Sequence, residues 1–139
     1  MRPARIEERG LTAAIRDLAG QSGFPVRVHV DPHGDPTPAL EPTVTVGVYR
    51  IVQEALANSA RHSGAPVAHV WISCREGRLL IKVTDEGCGF NPGAVVDPGI
   101  GLAGMYERAE LLGGRLAVQS AVASGTRVTL DLPISSKGH

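Results

Sequence analysis

Between Ala68 and Val83 apolar and polar residues alternate in two runs, with Glu76-Gly77 at the join. Ala68, Val70, Ile72 and Cys74 share one side of the first run; Leu79, Ile81 and Val83 share one side of the second. Period-two alternation across so short a turn marks neighbouring strands with one face buried. That face needs a second layer, and the flanking sequence supplies it as helices. Leu11, Ala14, Ile15 and Leu18 recur at helical spacing within Gly10–Gly23. Val26, Val28 and Val30 then alternate with Arg27 and His29, ending at Asp31-Pro32. At about 100° per residue, a helix over 41–62 places Val44, Val48, Ile51, Val52, Ala55, Leu56 and Ser59 on one face. A further helix over 102–112 carries Leu102, Met105, Tyr106, Ala109 and Leu112 on its core side, and Gly113-Gly114 stops it. Strands over 115–121 and 126–132 close the chain, the last alternating Val128, Leu130 and Leu132 with Thr129 and Asp131. The expected fold class is α+β: a two-layer sandwich whose sheet is mixed, mostly antiparallel, with helices packed on one face.

Composition narrows the function. A chain of 139 residues has room for one domain and one core. Fourteen Lys and Arg balance fourteen Asp and Glu, so the basic excess of a dedicated nucleic-acid or anionic-membrane binder is missing. No nucleic-acid partner and no membrane insertion are expected. No apolar run approaches the roughly 18 residues of a membrane span, and no signal-peptide core follows Met1. Two cysteines, Cys74 and Cys88, cannot build a disulfide framework or a four-ligand zinc site, so a reducing cytoplasm is the default. Histidine occurs at 29, 33, 62, 69 and 139 only.

Several polar residues sit where apolar ones belong. On the long helix Glu54 and Asn58 are i, i+4 neighbours, and Arg61 continues the ridge at the edge of the apolar face, with His62 closer to the core side. Two readings stand: a floor for a metal–phosphate group, or a solvated flank with a Glu–Arg contact and a helix-terminal histidine. Asp85 extends the inward row of Leu79, Ile81 and Val83. A carboxylate there needs donors, because burying it unpaired is expensive; the alternative is a strand-end turn capped by its own backbone. Gly87-Cys88-Gly89-Phe90 follows, with glycines that allow close approach of a ligand. Cys88 reads first as an inert small residue and second as a thiol near that ligand. Gly99-Ile100-Gly101-Leu102-Ala103-Gly104 matches G-x-G-x-x-G, but Pro98 opposes a preceding strand and Gln119-Ser120-Ala121 offers no acidic residue. The dinucleotide reading therefore fails. A glycine loop opening onto a helix N-terminus, suited to phosphates, remains.

Taken in order, Gln53-Glu54-Ala55-x-x-Asn58-x-x-Arg61-His62, Asp85-x-Gly87-x-Gly89-Phe90, Gly99-x-Gly101-Leu102-x-Gly104-Met105 and Gly125-Thr126 resemble the ATP-binding domain of two-component sensor histidine kinases. This is the Bergerat, or GHKL, fold. The pattern is most similar to the branch related to nitrate and desaturase sensors, whose regulators carry LuxR-type DNA-binding domains. The flanks Tyr49-Arg50-Ile51-Val52, Glu107-Arg108-Ala109 and Leu112-Gly113-Gly114 agree. The resemblance implies a join to an upstream dimerisation domain over 1–9, an ATP-binding domain over 10–135 and a tail over 136–139.

It also implies roles. Asp85 accepts from the adenine amino group, and Thr126 helps hold the adenine. Gly87 and Gly89 line its pocket, and 91–104, with Gly99, Gly101, Leu102 and Gly104, forms a short lid over the phosphates. Asn58 binds Mg²⁺ as a hard oxygen ligand; Arg61 and His62 lie near the phosphates; Glu54 is the general base. The implied activity is transfer of the γ-phosphoryl group of ATP to a histidine on a separate or upstream dimerisation helix, with a response regulator downstream. No histidine precedes His29, so autophosphorylation by this chain alone is not expected; without the family's dimer interface, a monomer is expected that transfers phosphate only when given a dimerisation domain. An anti-sigma-factor-type serine kinase shares the motifs, and a nucleotide-sensing module without transfer is the alternative outside enzymes. Gyrase-like and Hsp90-like ATPases need a further domain for a phosphate-sensing lysine.

Overall fold

The computed structural model describes residues 10–31, 40–60, 66–86, 102–120 and 125–134. In chain order these form α1 (Leu11–Gly20), β1 (Val26–Val30), α2 (Pro42–Asn58), β2 (Ala68–Arg75), β3 (Arg78–Asp85), α3 (Leu102–Leu111), β4 (Arg115–Ser120) and β5 (Thr126–Pro133). The order matches the periodicities. The strands make one sheet in the order β1-β2-β3-β5-β4. β1 runs parallel to β2, and every other neighbouring pair is antiparallel. A parallel neighbour requires a crossover, and α2 lies in the connection between β1 and β2.

Local chemistry sets the boundaries. Pro42 opens α2, where its missing N–H costs nothing, and the extended Glu41 before it accepts the Thr45 N–H at 3.0 Å. Past Asn58 the helix widens into a π turn over 59–60. The β2–β3 turn holds Glu76 at φ 53° and Gly77 at φ 76°, the doubly left-handed conformation that matches strand twist. α3 ends as Gly113 N–H and Gly114 N–H bond back to the Glu110 and Ala109 carbonyls, both at 2.9 Å.

One core joins the layers. Leu11 and Ile15 of α1, Val48 and Val52 of α2 and Met105 of α3 pack with Val70, Ile72, Leu79, Ile81, Leu130 and Leu132 of the sheet. Each fully buried side chain of this kind contributes about 1.5–3 kcal/mol. Two expectations shift. Cys74, placed with the inward row, is only half-buried, near the β2–β3 turn. Tyr106 is 44 % exposed, because Met105 and Ala109 already fill the buried stripe of this short helix and Tyr106 lies a further 100° round. Among the described residues, no helix is long and apolar enough to cross a membrane.

Candidate functional site

The C-terminal end of α2 meets the adjoining ends of β3 and β5. Inward parity along β3 continues past Leu79, Ile81 and Val83 to Asp85, which is 6 % exposed. Its register partners are Ala68 on one side and Thr126 on the other. Ser59 closes the group from the helix: its Oγ donates to Asp85 Oδ2 at 2.6 Å, with both residues buried. A hydroxyl donor to a carboxylate at this distance is a charge-assisted bond, which compensates the removal of Asp85 from water. The immediately preceding residue, Asn58, is also 6 % exposed. Glu54, one helical turn earlier, is half-buried.

β4 and β5 fix the other wall. Ser120 Oγ donates to the Gly125 carbonyl at 3.0 Å and lies 3.0 Å from Thr126 Oγ1. With the Ser120 proton committed to that carbonyl, Thr126 is the donor of the pair. Gly125 has φ 80°, and a Cβ there would collide with the Asp85 carbonyl oxygen. Only glycine lets β5 approach so close to the end of β3.

The structure thus brings together Asn58, Asp85 and Thr126, three of the residues singled out from the sequence, with Glu54 on the same helix. Leu102 starts α3 and packs partly buried against the core, and Gly104 is exposed on the same helix. Neither is hydrogen-bonded to the Asp85 group among the described residues. Arg61, His62, Gly87, Cys88, Gly89, Gly99 and Gly101 lie outside the described residues. Two residues bonded within this group carry no role in the sequence reading, Ser59 and Ser120. Ser59 did leave a signal: it is a hydroxyl on the buried stripe of α2. Ser120 left none, since a serine at a strand end is ordinary.

Fold and site together define an α+β domain with a buried carboxylate where one helix end meets two strand ends. Residues 43–136 match the family described as histidine kinase-, DNA gyrase B-, and HSP90-like ATPase, and the chain belongs to that family. It is 35 % identical over 139 residues to the oxygen sensor histidine kinase NreB of Staphylococcus carnosus (strain TM300), covering 97 % of this chain and 40 % of that protein. It is 34 % identical over 136 residues to the signal transduction histidine-protein kinase/phosphatase UhpB of Salmonella typhimurium, covering 96 % of this chain and 26 % of that protein. The chain therefore spans less than half the length of either relative. The blue-light activated histidine kinase EL346 of Erythrobacter litoralis shares the fold, with TM-score 0.74 and 22 % identity over 91 % of this chain and 42 % of that one. The expectations of an ATP-binding domain of the histidine-kinase type, and of its α+β fold, are borne out.

Proposed function

We propose that this chain is the catalytic ATP-binding part of a sensor histidine kinase. It binds ATP with Mg²⁺ and donates the γ-phosphoryl group to a histidine on a dimerisation helix, upstream or on a separate chain. The observation that carries the reading is Asp85, a buried carboxylate fixed by Ser59 at 2.6 Å and paired in register with Thr126. A carboxylate only accepts hydrogen bonds. It suits the exocyclic amine of adenine and repels a carbonyl placed there, so the group selects adenine. Thr126 supports the same ring, and Gly87 and Gly89 follow Asp85 closely enough in the chain to line its pocket.

Phosphoryl transfer depends mainly on positioning and charge stabilisation. Asn58 offers a buried carboxamide oxygen beside Ser59, the hard donor type that Mg²⁺ takes. The bound ion supplies charge neutralisation at the phosphates. Arg61 and His62 add cationic and hydrogen-bonding groups one turn on, and the 91–104 segment, with Gly99, Gly101, Leu102 and Gly104, covers the phosphates. Glu54, half-buried one turn before Asn58, takes the proton of the attacking imidazole. The domain runs over 10–135, with 1–9 as the join to the dimerisation domain and 136–139 as a tail. The partners are that dimerisation domain and a response regulator, and the site of action is the cytoplasm.

One pair of variants tests the reading. Asp85→Asn is expected to abolish ATP binding by calorimetry while circular dichroism stays at the parent signal; unchanged affinity sinks the adenine assignment. Glu54→Gln is expected to keep ATP binding and slow transfer to an added dimerisation domain by about a hundredfold or more. Transfer at the parent rate would remove Glu54 as the base.

A further inference from the structure

The sheet face turned away from the helices is strongly basic although the chain as a whole is neutral. Strand alternation puts Arg27, Arg75, Arg78, Lys82, Arg115 and Arg127 on it, with Glu86 just past the end of β3 and, within ion-pair reach of two of the arginines, the carboxylates Asp31 and Asp131. Those two carboxylates are engaged, Asp31 by Arg75 and Asp131 by Arg78, each at 2.9 Å. Among the described residues, Arg27, Lys82, Arg115 and Arg127 make no ion pair. A charge-balanced composition therefore conceals a cationic surface, because β-strand parity sorts side chains by face.

The same face holds a cavity of about 780 Å³ lined by His69, Trp71, Lys82, Thr84, Gln119 and Arg127, and reaching Glu86 and the strand ends. That volume lies in the range of about 300–1,000 Å³ typical of small-molecule clefts. Trp71 is 43 % exposed. The His29 ring stacks on it with centroids 4.0 Å apart and planes 17° from parallel, and His29 Nε2 is itself held by His69 Nδ1 at 2.9 Å. Trp71 lines the cavity whereas His29 does not. One face of the indole is thus braced by an anchored imidazole, and the other looks into the cavity. Lys82 sits directly across from Trp71, and Arg127 across from Thr84, two residues further along β3. With neighbouring strands about 4.8 Å apart, both long side chains can reach one small anionic group.

We propose that this face is a binding site for a planar aromatic anion, whose ring stacks on Trp71 and whose phosphate or carboxylate lies between Lys82 and Arg127. Two features select this class. The aromatic platform prefers a flat ring, and the cationic pair requires negative charge. At the strand ends the cavity reaches Asp85, Ser120, Gly125 and Thr126; Trp71 and Lys82 lie further along the strands on the outer face, whereas the Asp85 carboxylate is bonded to Ser59 of the helix layer.

Trp71 is the sole tryptophan of the chain, so its indole N–H gives a single signal in a ¹H–¹⁵N spectrum. Titration of the full chain with 1-naphthyl phosphate and, separately, with 1-naphthoate asks whether phosphate or carboxylate is preferred. Either should move that signal saturably. 1-Naphthol and inorganic phosphate, each with half the recognition elements, should bind at least about tenfold more weakly. Lys82→Ala and Arg127→Ala should each weaken the preferred anion several-fold. Arg115→Ala, on the same face but outside the cavity lining, should match the parent. Naphthol binding as well as the anions, or parent affinity in both Lys82→Ala and Arg127→Ala, overturns the proposal. So does an unmoved indole signal. An oligothymidylate that shifts the signal at far lower concentration than either naphthyl anion overturns it in favour of single-stranded nucleic acid.

Discussion

Asp85 and Asp131 are both strand carboxylates, and the sheet uses them in opposite ways. Asp131 faces water with its side chain 41 % exposed and meets Arg78, itself 51 % exposed, at 2.9 Å. Asp85 faces the helix layer at 6 % exposure and is held by a serine hydroxyl at 2.6 Å. Formal charge pairing suggests that the Asp131 contact is the stronger. Desolvation reverses the order: an exposed ion pair is worth about 0–1 kcal/mol, whereas a buried acceptor deprived of its donor costs about 1–3 kcal/mol. The outer face can therefore exchange partners cheaply, and the inner one cannot.

The largest test of that contrast is Gly125→Ala. The new Cβ meets the Asp85 carbonyl oxygen at a backbone φ of 80°, so both the steric and the conformational penalty apply. A loss of more than about 2 kcal/mol in urea unfolding, or failure to fold, is expected; a midpoint near the parent breaks the assignment of a close β3–β5 approach. Ser59→Ala comes next, with an expected loss of about 1–3 kcal/mol. It should also weaken ATP binding several-fold, since the carboxylate loses its orienting bond. Full affinity at lowered stability would confine Ser59 to folding.

Arg78→Ala should cost no more than about 1 kcal/mol in the same assay. A cost equal to that of Ser59→Ala would erase the distinction between the two faces. The smallest effect is a pH dependence. Burial, with help from His69 and Arg27, holds the His29 pKa below its ordinary value of 6.5. Above that value the ring is neutral in both folded and unfolded chains, so it contributes nothing. As pH falls below about 6.5 the unfolded chain binds the proton first, and stability drops until the folded ring is protonated too. His29→Gln should flatten that part of the urea-midpoint profile between pH 7 and 5; an unchanged profile removes His29 as its source.

Much of this could be read from the chain because two-residue and 3.6-residue periods leave direct marks. Asp85 was legible as inward since it continues the parity of Val83, and Asn58 as bordering the apolar face of the long helix since it trails Glu54 by one turn. The partner of Asp85 was not, because Ser59 lies 26 residues away and local periodicity carries no information about which helix end meets which strand end. The parallel pairing of β1 with β2 was hidden for the same reason, since no short turn announces it. Net charge hides something of another kind. Summing over the chain discards parity, and parity puts six cations on a single face of the sheet.

The strand order also has a consequence for how the domain assembles. β2 with β3, and β4 with β5, are hairpins closed by short connections, so their contacts form at little loop-closure cost. β1 joins through the crossover that sets Val26 beside Ala68, and among the described strands it has, like β4, a single neighbour. Long loops close late, and singly paired strands open first. The crossover places β1 last in folding and, as an edge strand, among the first to open, so amide hydrogens of Val26–Val30 should exchange ahead of those in β3, whose two neighbours must both part.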